Sequence, residues 1–132
     1  MRRAALALAL VGCAHAAPSV ARDAGEAYVA RLEAPATIPV GAAATLTLTI
    51  DARPGFHPNE DYPHHAAVRG DGVDAPARLP LARAPTSLTA AIPITARTPG
   101  RHALTADVAF ALCDADRCLI EKRTLALTVD AR

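Results

Sequence analysis

The chain contains very few aromatic residues. It has no tryptophan, two phenylalanines and two tyrosines among its 132 residues. Because recognition of sugars and bases relies on stacking against aromatic rings, this composition offers few platforms for such ligands. With hydrophobic residues at 52% of the chain, the core must come mainly from leucine, valine, isoleucine and alanine. The length is suited to one domain with a sizeable core.

An excess of charge is also lacking. The 14 basic and 13 acidic residues are scattered and give a formal net charge of +1. Nucleic-acid binding requires a concentrated basic surface, so we expect no nucleic-acid partner. The one methionine stands at position 1, which leaves a methionine-rich copper chaperone without ligands. Nothing in the sequence points to a cofactor.

Hydrophobic runs are short. The apolar stretch of residues 4–11 follows Arg2 and Arg3, and it is far below the roughly 20 residues that span a bilayer. A basic start, a short apolar run and small residues are typical of an export signal, which we predict over residues 1–12. The string "LVGC" that ends it, residues 10–13, resembles the lipobox of bacterial lipoproteins.

That resemblance implies lipidation of Cys13 and a location in the cell envelope or periplasm, with the protein anchored to a bacterial membrane by lipid. The alternative is ordinary cleavage after Ala16, which also follows a small-x-small pattern. Residues 13–27 have small side chains, a proline and no period, and we expect them to form a tether. The domain is then predicted to occupy residues 28–132.

Apolar residues recur at every second position in four segments, whereas no segment shows a sustained helical period. The alternating segments are residues 45–50, 87–95, 102–112 and 124–129, with turns containing proline or glycine between them. Pro93 within one of them predicts an edge position or a bulge. We therefore predict an all-β fold, an immunoglobulin-like β-sandwich of about seven short antiparallel strands.

Cysteine is scarce as well, with three in the chain. With Cys13 assigned to the export signal, Cys113 and Cys118 remain as a pair outside the cytoplasm, where disulfides persist. The four residues between them are typical of a hairpin loop. Pairing the two cysteines puts them on the face away from the main apolar stripe, at an accessible tip. The pairing also fixes the register, in which Leu112 faces Leu119, Phe110 faces Glu121 and Val108 faces Arg123. The two charged residues would be accommodated either by a bulge near residues 120–122 or by an apolar stripe that ends before the hairpin tip.

Three roles are open to this pair. As a staple, the bond closes a loop of about six residues and contributes roughly 2 kcal/mol. As a redox couple, it needs one exposed sulfur; Arg117 favours the Cys118 thiolate, while Asp114 and Asp116 oppose it. As a metal site it needs further ligands, and none of the candidates has ligand spacing to the pair. These candidates are His57, His64, His65 and His102, of which we expect the first three to be solvated loop histidines.

Residues 108–129, "VAFALCDADRCLIEKRTLALTV", resemble the N-terminal periplasmic domain of the DsbD family of thiol:disulfide interchange proteins, as does "GFHPNEDYP" at residues 55–63. The resemblance implies an immunoglobulin-like fold in which Cys113 and Cys118 are the catalytic redox pair. It further implies electrons taken from a membrane electron donor and passed to exported thiol- or disulfide-bearing proteins, with Cys118 forming the mixed disulfide. Phe56 and Tyr62 are the nearest aromatics for a loop that shields the pair.

A function of another class stays open. In that alternative, the protein is a non-catalytic lipoprotein β-sandwich for binding or scaffolding, and the disulfide of Cys113 and Cys118 is structural. The reduction potential of the pair separates the two hypotheses, because a structural bond in a secreted protein typically lies below about −300 mV.

Overall fold

Strands account for all of the regular structure in the part of the chain described by a computed structural model, residues 12–13 and 16–132. Seven strands have five or more residues and five have two. The strands are β1 (Ser19–Ala24), β2 (Tyr28–Ala34), β3 (Thr37–Ile38), β4 (Ala43–Ala52), β5 (His57–Pro58), β6 (His65–Arg69), β7 (Val73–Asp74), β8 (Leu79–Pro80), β9 (Ala82–Arg83), β10 (Ser87–Ala96), β11 (Gly100–Cys113) and β12 (Cys118–Ala131). The predicted signal peptide falls almost entirely on residues outside this description.

Two six-stranded sheets pack on each other as a sandwich. One sheet has the order β1-β2-β4-β10-β7, with β9 also on β10, and the other has the order β3-β12-β11-β6-β8, with β5 also on β11. All pairings between strands are antiparallel except that of β3 with β12. The prediction of an all-β sandwich is confirmed. The strands are not uniformly short, since β11 and β12 have 14 residues each.

The core is aliphatic, as the composition requires. Alternate residues of β4 point into it, and Leu46, Leu48 and Ile50 are fully buried. The same alternation runs through β10, where Leu88, Ile92 and Ile94 are buried. Each such side chain stabilises the fold by about 1.5–3 kcal/mol through removal of apolar surface from water.

Pro93 lies where β10 has a neighbour on one side only. It pairs with Thr45 of β4. On its other side β10 meets β9 at Leu88 and Thr89 and β7 at Thr95 and Ala96, so no described strand faces Pro93 there. A proline without a backbone N–H is tolerated at such a position, and the predicted edge location is confirmed.

The first strand corrects one boundary. β1 pairs with β2 over six residue pairs, from Ser19 opposite Ala34 to Ala24 opposite Val29, although residues 13–27 were expected to be a tether. The strand is held by its backbone, and its side chains are only partly buried or exposed. Because an edge strand of this kind buries no apolar stripe, its sequence carries no alternation that would reveal it.

The β11–β12 hairpin has the predicted register along its whole length. Its ladder runs without interruption from Gly100 opposite Ala131 to Cys113 opposite Cys118. The bulge offered for residues 120–122 is therefore absent. Instead, the inward-facing Glu121 and Arg123 pair with each other at 3.1 Å, between Glu121 Oε2 and a guanidinium nitrogen.

A polar cluster at the end of the core makes this register tolerable. The Arg123 guanidinium lies 5.7 Å from the centre of the Tyr28 ring and 3.7 Å from an oxygen of Asp23. The Tyr28 hydroxyl donates a hydrogen bond of 2.6 Å to Asp23, and burial raises its pKa. The Tyr28 ring meets Phe110 edge to face at 4.9 Å between centroids. The charges thus lie against an aromatic ring and a carboxylate rather than in the aliphatic core.

The disulfide as candidate functional site

The predicted cysteine pair is bonded. Cys113 and Cys118 form a disulfide between directly opposed residues, with their Cα atoms 4.0 Å apart. The core cluster includes Phe110 and Leu112 but neither Ala111 nor Cys113. Since successive residues of a strand point to opposite faces, the disulfide lies on the outer face of its sheet, as the register predicts. Cys13, the predicted lipidation site, is exposed.

The two cysteines differ in exposure. Cys118 is an exposed residue, whereas Cys113 is 6% exposed. The expectation that both would be accessible is therefore wrong for Cys113. Of the two bonded residues, Cys118 is therefore the one more open to an incoming group.

The burial of Cys113 is caused by the segment of residues 56–64. Its strand β5 pairs with β11, with His57 opposite Cys113 and Pro58 opposite Leu112. Directly after β5, the backbone N–H of Asn59 donates to the carbonyl of Ala111 at 3.0 Å. The segment therefore covers the end of β11 and leaves the start of β12 open.

Asn59 contacts both sulfurs. Its side-chain oxygen accepts hydrogen bonds from the backbone N–H groups of Asp61 at 2.8 Å and Tyr62 at 2.9 Å. These two donors fix the orientation of the amide, so its nitrogen faces the disulfide. Nδ2 donates to Cys113 Sγ at 3.2 Å and lies 3.5 Å from Cys118 Sγ.

Sequence reasoning missed Asn59. The available signal was local: an asparagine after Pro58 in a polar loop is a typical Asx-turn residue, whose side chain bonds the amides two and three positions on. That signal identifies the turn, but the sulfurs lie more than fifty residues away in the chain, with separations of 54 and 59. The contact depends on the sheet that brings them together.

His64 locks this segment against β11. Its Nδ1 accepts a hydrogen bond from the N–H of Ala111 at 3.2 Å, and its Nε2 lies 2.7 Å from the carbonyl oxygen of Asn59. Because Nδ1 accepts a hydrogen bond and Nε2 faces a carbonyl oxygen, the ring carries its hydrogen on Nε2. His64 is 7% exposed, so the expectation of a solvated loop histidine is wrong here.

The three other candidate histidines, His57, His65 and His102, do not form a ligand cluster with the two cysteines. His57 is exposed and His65 is half-buried, with its Nδ1 2.8 Å from the carbonyl oxygen of Pro63. His102 is buried, with its ring nitrogens near the carbonyls of Asp71 and Thr98. Within residues 12–13 and 16–132 no group of three or more histidine, cysteine or acidic residues is placed to hold a metal ion.

The two aromatics suggested for the shielding loop have other contacts. The Tyr62 ring lies 5.4 Å from the His64 ring, tilted at 48°. Phe56 is partly buried and packs against the core. Tyr62 thus supports the covering segment through His64, while Asn59 makes its hydrogen bonds to the sulfurs.

The hairpin loop is organised by Asp114. Its carboxylate accepts the N–H groups of Asp116 at 2.8 Å and Arg117 at 2.9 Å, and these two bonds lower the pKa of Asp114. Arg117 pairs with Glu26 and lies 3.7 Å from Asp114. Hydrogen bonding and charge attraction from Glu26 raise the pKa of Arg117. Since carboxylates already balance its charge, Arg117 has little left to stabilise a Cys118 thiolate.

No protein-family model matches the chain, and no curated protein matches it. In the described part of the chain there is no helix long and apolar enough to cross a membrane. The function of the site is therefore inferred from its own residues.

Proposed function

We propose that this protein is an exported thiol:disulfide exchange domain, similar to the N-terminal periplasmic domain of DsbD, with Cys113 and Cys118 as its catalytic pair. The observation that carries the proposal is the asymmetry of the disulfide, with Cys118 exposed and Cys113 buried beneath a covering segment. Exchange requires access to one sulfur and a second thiol held close by to resolve the mixed disulfide. The exposed Cys118 and its bonded partner Cys113 support the proposal on both counts.

The exchange proceeds in two balanced steps. A thiolate of the donor protein attacks Cys118 Sγ, the bond between the two cysteines breaks, and Cys113 leaves as a thiolate. The second thiolate of the donor then attacks the donor's other sulfur, which is bonded to Cys118, and releases Cys118 as a thiolate. The domain gains two electrons and the donor becomes a disulfide. The same steps in reverse reduce the disulfide of a client protein.

Asn59 acts in this scheme as a positioning residue that also favours the leaving group. When Cys113 becomes a thiolate, the Nδ2–H group 3.2 Å from its sulfur donates to a negative charge. Hydrogen bonds to charged groups are stronger than neutral ones, so the bond gains strength as the disulfide opens. The anchored side-chain oxygen keeps the donor in place throughout.

The partners follow from this chemistry and from the sequence. The resemblance to the DsbD domain supports a membrane electron donor, and exported thiol- or disulfide-bearing proteins that receive the electrons. Lipidation at Cys13 would hold the domain at the membrane surface in the cell envelope. Strand β1 begins at Ser19, so the sheet would start close in the chain to such an anchor.

A trapping experiment tests the proposal. The variant Cys113→Ala leaves Cys118 without its resolving partner, so a mixed disulfide with a donor or client should accumulate in the host envelope. The matched control is Cys118→Ala, in which the remaining Cys113 is buried and should trap far less. Both variants lose the same bond and up to roughly 2 kcal/mol of stability, which separates reactivity from folding.

The scaffold alternative gives the opposite results. If the disulfide is structural, neither variant forms mixed disulfides and the reduction potential lies below about −300 mV. An exchange pair should equilibrate with glutathione buffers at a higher potential. Equal trapping by the two variants would also contradict the assigned roles of the cysteines.

A further inference from the structure

Strand β12 has an open edge beside the exposed cysteine. On one side it pairs with β11 over its full length. On the other side its described strand partner is β3, which meets only Asp130 and Ala131. Within residues 12–13 and 16–132, no strand therefore pairs with the outer edge of β12 between Cys118 and Val129.

The direction of the backbone groups along this edge follows from the hairpin. Asp114 N–H donates to the carbonyl of Arg117, so these two residues form a bonded pair. Bonded and non-bonded pairs alternate in an antiparallel ladder, which directs the N–H and C=O groups of Cys118 and Ile120 away from β11. Ala111, which lies opposite Ile120, shows the same alternation. Its N–H and C=O groups point away from β12 and bond to His64 and Asn59.

These outward groups have no hydrogen-bond partner among the described residues. Strand β1 lies near β12, but their ion pair joins Asp23 to the inward-facing Arg123. No strand pairing joins β1 to β12, and no described residue of β1 is bonded to the outward N–H and C=O groups of Cys118 and Ile120. Ile120 is 63% exposed, the highest value among the large hydrophobic residues described.

The open edge is limited in length by charge. Glu121, Lys122 and Arg123 follow Ile120 directly, and charged residues protect strand edges against extended pairing. The stretch that remains, residues 118–120, offers two N–H donors and two C=O acceptors in the spacing of an extended backbone. A short, reversible addition fits this edge, whereas a long intermolecular sheet does not.

We propose that residues 118–120 form a docking strand for an extended segment of the exchange partner that carries the partner's reactive cysteine. The segment pairs with the edge by backbone hydrogen bonds and rests an apolar side chain on Ile120. This places its thiolate at Cys118 Sγ, where it forms the mixed disulfide as Cys113 leaves as a thiolate. The inference rests on the exchange function proposed above and names the chemistry of the partner: an extended cysteine-containing peptide.

Amide hydrogen exchange tests the pairing directly. The Cys113→Ala variant is joined through Cys118 to the peptide acetyl-Thr-Val-Cys-Val-Thr-amide, and in parallel to cysteamine, which has no peptide backbone. The N–H groups of Cys118 and Ile120 should exchange more slowly with the peptide attached than with cysteamine. Those of Leu119 and Glu121 point into the ladder and should be alike in both. No difference at Cys118 and Ile120 would overturn the docking strand.

Kinetics provide the second test. Ile120→Pro removes one outward N–H and leaves the ladder intact, and Ala126→Pro does the same at an exposed position of equal parity further along β12. The ratio of the rate constants for attack on the disulfide by the peptide, which forms a mixed disulfide at Cys118, and by dithiothreitol should fall roughly 2- to 10-fold for Ile120→Pro. It should not change for Ala126→Pro. A peptide N-methylated beside its cysteine should show the same loss with the unmodified protein.

The failures are distinguishable. If the peptide and dithiothreitol both reduce the disulfide and the ratio is equal in all variants, the docking strand is wrong and the exchange function stands. If neither thiol opens the disulfide, the exchange function is wrong and the docking strand with it.

Discussion

The two strands that meet at the disulfide have opposite surroundings. Over its last five residues, 109–113, β11 is buried on both faces, whereas β12 has no buried residue from 118 to 124. These residues are direct neighbours in one ladder, so the strand pairing itself does not set their exposure. The difference comes from the other side of each strand: β5 and β6 pair with this part of β11, whereas no described strand pairs with the outer edge of β12 there. Asymmetry between the two sulfurs is therefore a property of the covering segment.

The largest effect on this comparison is expected from Phe110→Ala. Phe110 is fully buried and packs edge to face on Tyr28 at 4.9 Å. Removal of such a side chain typically lowers the free energy of unfolding by about 3–5 kcal/mol, because transfer energy is lost and a cavity remains. Denaturation by urea, monitored by circular dichroism, measures the loss.

Ile120→Ala is the matched control on the other strand. Ile120 lies two residues from Cys118, and Phe110 lies three residues from Cys113. Ile120 is 63% exposed, and we expect a change within about 0.5 kcal/mol. A loss above about 2 kcal/mol in this variant would contradict the open face assigned to β12.

Much of the fold was predictable from sequence because it follows from local period. Segment 45–50 alternates with period two and is observed within β4, and residues 102–112 lie within β11. Pairing Cys113 with Cys118 fixed the hairpin register, since one opposed pair at the tip determines which residues face each other along both strands. Strand β1 was not predictable, because its partly exposed side chains form no apolar stripe.

The site was predictable only in its cysteines. That Cys113 is buried depends on the contacts of Asn59 and His64 with Ala111, residues separated by 47 or more positions. No local pattern encodes contacts of that range. His64 was expected to be a solvated loop histidine, and the structure places it where one ring nitrogen accepts the backbone N–H of Ala111.

His64→Ala should remove the asymmetry of the two sulfurs. The N–H of Ala111 loses its acceptor and the carbonyl of Asn59 loses its donor, and an unsatisfied buried group of this kind costs about 1–3 kcal/mol. With the covering segment released, Cys113 becomes accessible. In a Cys118→Ala background, its reaction with a thiol-specific dye should be faster when His64 is replaced.

The control is Glu60→Ala, an exposed residue of the same covering segment. It should change neither the stability by more than about 0.5 kcal/mol nor the dye reaction. Equal reactivity of Cys113 with and without His64 would show that another element covers the sulfur.

Asn59→Asp separates the turn from the hydrogen bond to sulfur. The carboxylate still accepts the N–H groups of Asp61 and Tyr62, so we expect a stability change of about 1 kcal/mol or less. The donor to Cys113 is replaced by a negative charge, which disfavours a thiolate there. Reduction of the disulfide by dithiothreitol should slow by roughly 3- to 10-fold. A rate equal to that of the unmodified protein would exclude Asn59 from the exchange step.

The smallest effect is a titration confined to the tip of the hairpin. The folded state lowers the pKa of Asp114, chiefly through the N–H groups of Asp116 and Arg117. The stabilisation is therefore fully present above the ordinary pKa of this carboxyl, 3.8, and is lost as the pH falls through the lower value of the folded state. The Arg117 amide resonance should shift with a midpoint below 3.8, whereas that of Leu104 in the core should not move.

Asp114→Asn keeps an oxygen acceptor for the loop and removes the titration, so the Arg117 amide should then stay constant over this range. A midpoint at or above 3.8 in the unmodified protein would mean that the carboxylate does not organise the loop. Because the loop is intact throughout the range in which thiolates form, its protonation does not control the exchange. The proposed exchange then depends on access to Cys118 at the open strand and on the hydrogen bond donated by Asn59.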